Sequence, residues 1–287
     1  MMTHRTLSLV SPFVILIIFS FSISFNSCGE DPTTGVTNPP EPVDSSQFFY
    51  PKKPDSRWNY TRIQTAENIR PDSIRQYFTN YPLYASGYIK ILYDTLIAGE
   101  TLKVFLEELT DSSGTISSRH YYKMDTVSMV SFAYRGVGGT TMPFKPVQGG
   151  VSISFEINGI DMWQQIYGRR AADDSLIFNE DRPIVLKYPV ITGKEWVFRS
   201  LGSTLFTKKY AGFENVHIDT AVYACMKVQR TLSGYSNYVL YDYVSKYGQV
   251  KRDYLFKNSP VTNMLGQTIG YVDYRDVVLV TGTSGIE

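Results

Sequence analysis

A chain of 287 residues carries 28 basic and 27 acidic side chains, a formal net charge of +1. That balance argues against a nucleic-acid partner, which favours a basic face, and gives no reason for strong attraction to anionic headgroups. The 22 Tyr, 16 Phe and 3 Trp are the compositional surplus, and they suit a pleated, half-buried surface.

In chain order, residues 1–27 read as a signal peptide. His4 and Arg5 form a short basic stretch, and the apolar run from Phe13 to Phe25 is thinned by Ser20, Ser22 and Ser24. Such segments are excluded from the fold. The run ends in Asn26-Ser27-Cys28-Gly29. A small residue directly before a Cys at this place resembles the lipobox of bacterial lipoproteins, although Phe25 and Asn26 depart from its commonest form. The resemblance implies that Cys28 is lipidated, becomes the mature N-terminus and anchors the protein at the bacterial outer membrane, facing periplasm or cell surface. The competing reading is an uncleaved anchor. Against it, the run falls short of the roughly 20 residues a spanning helix needs, and Pro12 interrupts its extension. Lipidation of Cys28 leaves Cys225 without a disulfide partner.

Residues 28–47 read as the lipidated Cys and a tether. Pro32, Pro39, Pro40 and Pro42 stand among Thr, Gly, Ser and acids, a composition that stays extended and solvated. Glu30-Asp31 resembles the acidic surface-export signals of some Bacteroidota lipoproteins; a plain linker reads equally well.

From Phe48 the expected class is all-β, with curved antiparallel sheets in a half-barrel or sandwich. Val151, Ile153, Phe155 and Ile157 alternate with polar residues; so do Val222, Ala224, Met226 and Val228 with Tyr223, Cys225, Lys227 and Gln229. Val239, Tyr241 and Tyr243 alternate with Leu240, Asp242 and Val244. This two-residue period predicts strands; only 164–177 suggests a short helix, and its Gly168 opposes that. Hairpins are expected about Asp111–Gly114 and Ser233–Asn237, with turns at Tyr247-Gly248 and a break at Asn258-Ser259-Pro260. A closing strand over 267–280 is expected to bend at Gly270.

Two stretches match. Tyr50-Pro51 and Tyr188-Pro189 each precede a Trp, Trp58 and Trp196, eight residues after the Tyr, and an aromatic follows two residues later. Each predicts an extended Pro segment, a turn and a strand opened by an inward Trp. Downstream of each come Asp-Thr (Asp94-Thr95, Asp219-Thr220), Lys-Val (Lys103-Val104, Lys227-Val228) and a Tyr-rich strand. Two tandem, diverged meander repeats, 48–181 and 182–287, account for this. Chance remains open for the common pairs.

Tyr188–Phe198, Asp219–Val228 and Tyr238–Tyr254, ending in Tyr247-Gly248 and the basic strand Val250-Lys251-Arg252, resemble a pattern in uncharacterised bacterial envelope lipoproteins. The resemblance implies curved antiparallel sheets similar to the half-barrels of the Lol lipoprotein carriers. It implies no catalytic residue.

The chemistry-bearing residues converge on no motif. His120 and His217 are the histidines beyond the signal, far apart and in no zinc-ligand spacing. Cys225 shares a strand face with Lys227, which is able to lower a thiol pKa, but an inert strand cysteine is the stronger reading. Gly136–Gly139 and Gly149-Gly150 lack the Lys-Ser/Thr of a phosphate loop. Asp173-Asp174 and Glu180-Asp181 lack calcium-loop spacing. No catalytic residue, metal or cofactor is therefore expected. The expected function is a non-enzymatic lipid-anchored lipoprotein, a binding or scaffold protein, with Tyr238, Tyr241 and Tyr243 as ligand contacts on a curved sheet. Its partners would be the membrane through the lipid and a glycan, lipid or envelope protein. The alternative is an envelope hydrolase pairing carboxylates such as Asp161, Asp173 or Asp242.

Overall fold

The structure, a computed structural model, describes residues 48–112, 114–136, 147–157, 160–162, 175–201 and 204–286. The expected signal and tether, with Cys28, lie outside these residues. Five long strands open the fold: β1 (Arg57–Arg70), β2 (Leu83–Ile97), β3 (Glu100–Asp111), β4 (Gly114–Met124) and β5 (Ser128–Arg135). Short strands follow: β6 (Val147–Gln148), β7 (Val151–Ile153), β8 (Glu156–Ile157), β9 (Ile160–Asp161), β10 (Leu176–Phe178) and β11 (Ile184–Lys187). A second run of long strands ends the chain: β12 (Glu195–Leu201), β13 (Thr204–Ile218), β14 (Ala221–Leu232), β15 (Tyr235–Ser245), β16 (Gly248–Asn263) and β17 (Thr268–Ser284).

Each run is an antiparallel meander: short turns join consecutive strands, except that residues 71–82 connect β1 to β2. The last strand pairs with the first: β17 runs against β1 from Arg57↔Ser284 to Arg70↔Tyr271. The path is thus β10-β5-β4-β3-β2-β1-β17-β16-β15-β14-β13-β12, in one open, curled sheet. Among the described residues no ladder joins β12 to β11, and side chains bridge the gap. Trp196 Nε1 donates to the Ile184 carbonyl at 2.9 Å. Lys208 Nζ donates to the Val185 carbonyl, also at 2.9 Å. Tyr210 OH accepts from the Lys187 amide and donates to the Lys187 carbonyl, both at 2.9 Å. These bonds satisfy edge groups that would otherwise invite another strand.

Both Trp residues open strands as expected, and both are buried in one aromatic cluster with Tyr50, Phe105, Tyr188 and Tyr210. Trp58 demands Gly248. A Cβ there would stand 2.6 Å from the indole nitrogen, and Gly248 also has φ of 99°. A second cluster, around Phe155, Tyr254, Phe256 and Tyr274, fills the other end of the curl.

Several boundaries differ from expectation. The turn before β15 is shorter, because the strand already begins at Tyr235. Asn258–Pro260 does not end a strand: β16 runs on to Asn263 through a bulge, with Asn258 at φ 54°. Pro260 is tolerated at a bulge, where no ladder donor is needed. Val151–Ile157 is interrupted between β7 and β8, and Phe155 turns into the core. The helix suggested at 164–177 falls outside the described residues up to 174, and Leu176-Ile177 lie in β10. A 3₁₀ turn, Asp72–Phe78, went unforeseen; it seats Ile74 and Phe78 over one end of the core.

Candidate functional site

Inward positions of the long strands are apolar at both ends and charged in the middle. On the first half of β13 the buried residues are Thr204, Phe206, Lys208 and Tyr210. Phe206 belongs to one core cluster and Tyr210 to the other, with Lys208 between them. Arg230 stands likewise between Leu232 and Val228, and Asp242 between Leu240 and Val244. On β17 Asp276 follows Tyr274, and on β1 Arg62 lies between Tyr60 and Gln64. Lys208 pairs in register with Arg230, and Asp242 with Arg252. A charged belt therefore crosses the inner face, perpendicular to the strands.

Asp242 is its centre. Oδ2 accepts from Arg230 Nε at 3.1 Å and Nη2 at 2.9 Å. Oδ1 accepts from Arg252 Nε at 3.2 Å and Tyr254 OH at 2.9 Å. Burial by itself would raise its pKa, but Arg230, Arg252 and Lys208 hold the carboxyl well below the usual range. Lys208 is pushed well down, by burial first and then by Arg230, with Asp242 opposing. The cations also rest on rings: Lys208 lies 4.6 Å from the Phe198 centroid, and Arg230 5.3 Å from both Phe198 and Tyr254. Beside this cluster Arg62 and Asp276 form a bidentate pair at 2.7 and 2.6 Å, buried on both sides. Desolvation of such pairs offsets most of their attraction, so they specify an arrangement more than they stabilise it.

A shallow recess, open to solvent, adjoins the belt. Tyr50, Trp58 and Tyr60 line it together with Glu107 and Arg252. Glu107 comes from β3 and Arg252 from β16, four places apart in the sheet order; only the curl brings them to one recess. Behind Glu107 sits buried His120, its Nε2 3.5 Å from the carboxylate and 3.0 Å from Ser118 Oγ. Burial lowers the His120 pKa, Glu107 opposes, and Arg252 adds to the lowering. Ser118, His120 and Glu107 have the composition of a hydrolytic triad without its geometry. Serine and acid both address the same ring nitrogen, whereas a triad needs one on each.

The residues singled out from sequence scatter. Tyr238 faces inward and packs edge-on against Phe256 at 5.0 Å. Tyr241 and Tyr243 point to the outer face, 6.5 Å apart, with Lys227 over both rings at 4.4 and 5.4 Å. The three do not form one platform, because strand parity puts even and odd positions on opposite faces. Asp242, offered as a hydrolase carboxylate, is inward, buried and ion-paired. Cys225 is buried with Tyr243 and Val250; burial, with Glu214, pushes its thiol up to about 12. His217 is exposed on β13, opposite Val222. The side chain of Asp161, and Asp173 and Cys28 altogether, lie outside the described residues. Lys208, Arg230, Arg252, Arg62, Asp276 and Glu107 were not singled out. Their signal was a charge at the apolar parity of a strand, as in Phe206-x-Lys208-x-Tyr210.

Among the described residues no three His, Cys, Asp or Glu side chains gather as metal ligands, and no helix is long and apolar enough to cross a membrane. No family model and no curated protein matches the chain. Two solved structures are loosely similar. One is a predicted exported protein with a YmcC-like fold from Bacteroides fragilis, 9% identical, covering 83% of this chain and 99% of its own, with a TM-score of 0.36. The other is a predicted lipoprotein from Parabacteroides distasonis, 9% identical, covering 83% and 98%, with a TM-score of 0.33. Likeness at this level decides neither fold nor function here.

Proposed function

We propose that this protein is a lipid-anchored envelope lipoprotein that binds rather than catalyses, seating its ligand in the cleft where Glu107 and Arg252 meet Tyr50, Trp58 and Tyr60. The carrying observation is that recess: acceptor-only Glu107 and donor-only Arg252 and Lys251, set in a wall of aromatic and aliphatic side chains. Sites with a few polar groups on a largely apolar lining are typical of small-ligand pockets. Glu107 and Arg252, which already engage His120 and Asp242, add polar groups to the recess. A glycan offers hydroxyls to both and C–H faces to the rings, so it is the ligand class this lining favours.

Weighing against the hydrolase is the state of Asp242, whose two oxygens are occupied by Arg230, Arg252 and Tyr254. A glycosidase pair needs two carboxyl groups about 5–9.5 Å apart flanking the bond, one of them available as an acid. Two further parts of the reading rest on sequence. The anchor rests on Ser27-Cys28 and the Pro-rich tether. The descent of the two Trp-led meanders from one repeat, and their kinship with Lol-type half-barrels, rest on the matching order of Trp, Lys-Val and Tyr-rich segments.

Trp58 makes the cleft observable. Titration of the full chain with envelope glycan fragments is expected to change tryptophan emission saturably, and Trp58→Phe to abolish the change. No response to any glycan, with a response to acyl chains, would overturn the ligand class; released sugar would overturn the binding reading. Separately, Cys28→Ser is expected to abolish stable anchoring, since firm attachment takes more than one acyl chain. Mass spectrometry of an unmodified Cys28 in membrane-bound protein would refute the anchor.

A further inference from the structure

We infer that the face surrounding Phe49 lies against the bilayer that holds the lipid anchor, so that the protein docks on the membrane in one orientation. This rests on the proposed anchoring at Cys28. The chain enters the fold at Phe48, buried in the aromatic cluster and edge-on to Phe213 at 6.4 Å. Phe49 beside it is 36% exposed and lies 4.9 Å from Tyr188. Two turns meet at this point. The Tyr188 amide donates to the Val127 carbonyl at 2.7 Å, and Lys52 Nζ donates to the Asp125 carbonyl at 3.3 Å. The tips of those turns are apolar and outward: Val127 is 60% exposed and Ile191 50%.

These tips are held out by the backbone. Asp125 Oδ1 accepts from the Val127 and Ser128 amides at 2.8 and 2.7 Å, which locks the turn with Val127 at its apex. In the other turn Val190 is fully buried, so Ile191 must face away. The Gly193 amide donates to the Tyr210 carbonyl at 2.7 Å and fastens that turn to β13. A soluble face gains nothing by presenting Phe49, Val127 and Ile191 rigidly together; a headgroup boundary accepts such apolar tips. Lys52, 5.6 Å from the Phe49 centroid, and Lys194, bonded to the Tyr188 carbonyl at 2.7 Å, are placed to keep their charges at the wet boundary.

The bilayer is the occupant that fits the chain's own layout. Nineteen residues lie between Cys28 and Phe48, and a Pro-rich linker of that length reaches at most about 60 Å. The tether therefore holds this face at high effective concentration over the membrane, so weak contacts suffice. The tether itself is a poor cover, being polar and Pro-rich. The patch carries Asp125 as well as Lys52 and Lys194, so a neutral membrane should serve.

The test places single cysteines in the full-length lipidated protein: Val127→Cys, Ile191→Cys and, at the opposite end of the sheet, Leu265→Cys. Leu265 is 81% exposed and makes the control a fair one. Buried Cys225 is expected to stay unlabelled. Each cysteine takes an environment-sensitive dye, and the protein is floated on phosphatidylcholine vesicles containing headgroup-nitroxide lipid. Emission at 127 and 191 is expected to be quenched about two-fold, as for a segment lying in the interface, with none at 265. Flotation without quenching at 127 and 191, or quenching at 265 instead, would overturn this inference alone. Failure to float would overturn the anchor and this inference together.

Discussion

Replacing Asp242 by Asn keeps the shape of the side chain and removes the one charge that Arg230 and Arg252 share. The guanidiniums are only 12% and 18% exposed, so neither regains much solvent. Removing one partner of a buried pair costs about 3–5 kcal/mol. Both arginines keep ring contacts, to Phe198 or Tyr254, which points to the lower end, about 3 kcal/mol. For a domain of this size that lowers Tm by roughly 6–12 °C. Urea unfolding should show a lower midpoint with the slope unchanged. The pH dependence follows from the depressed carboxyl pKa. The contribution is fully present above the unfolded value of about 3.9 and is lost as pH falls towards the folded one. The gap between wild type and Asp242→Asn should therefore close only below about pH 4. A double-mutant cycle with Arg230→Gln should return a coupling of about 0.5–3 kcal/mol. A loss under about 1 kcal/mol, the range of exposed pairs, would mean that the belt is solvated and the reasoning wrong.

Trp58→Ala should cost about 3–5 kcal/mol, as large aromatics removed from cores do, and differential scanning calorimetry would measure it; a near-neutral change would deny the indole its central place. Buried His120 has a lowered pKa, so the unfolded chain takes up a proton near pH 6.5 before the folded one does. Stability should therefore fall as pH drops through and below that value, and denaturation curves of His120→Gln should lack this slope. Cys225, with its thiol pushed up to about 12, should resist iodoacetamide at pH 8 in the native state and react on unfolding; rapid native labelling would contradict its burial.

Strand class and many turns were legible because they depend on near neighbours. The two-residue period at 222–229 and 239–244 reports a pleat whatever the strand packs on, and Ser233-Gly234 or Tyr247-Gly248 bends the chain locally. Parity alone does not say which face is inward. Along β15 the sequence offers Tyr241 and Tyr243 on one side and Leu240, Asp242 and Val244 on the other. Tyr238, Tyr241 and Tyr243 were all expected as ligand contacts; the curl turns Tyr238 inward with the acid, and Tyr243 is buried with Cys225. The interior charges at Lys208, Arg230 and Arg252 carried a faint signal, each lying two residues from an apolar inward neighbour.

What the sequence by itself determined, then, is what short-range chemistry encodes: an all-β fold and two strands opened by Trp58 and Trp196. The tertiary structure alone decided three things. β17 closes on β1 across more than two hundred residues of chain, joining Arg62 to Asp276. The curl carries Glu107 of β3 to the recess of Arg252 on β16. The turn at Val127 meets Tyr188 beside the entering chain. Each depends on how far a sheet of many strands twists and coils, a sum of small rotations at every strand pair. No local pattern of residues records that sum.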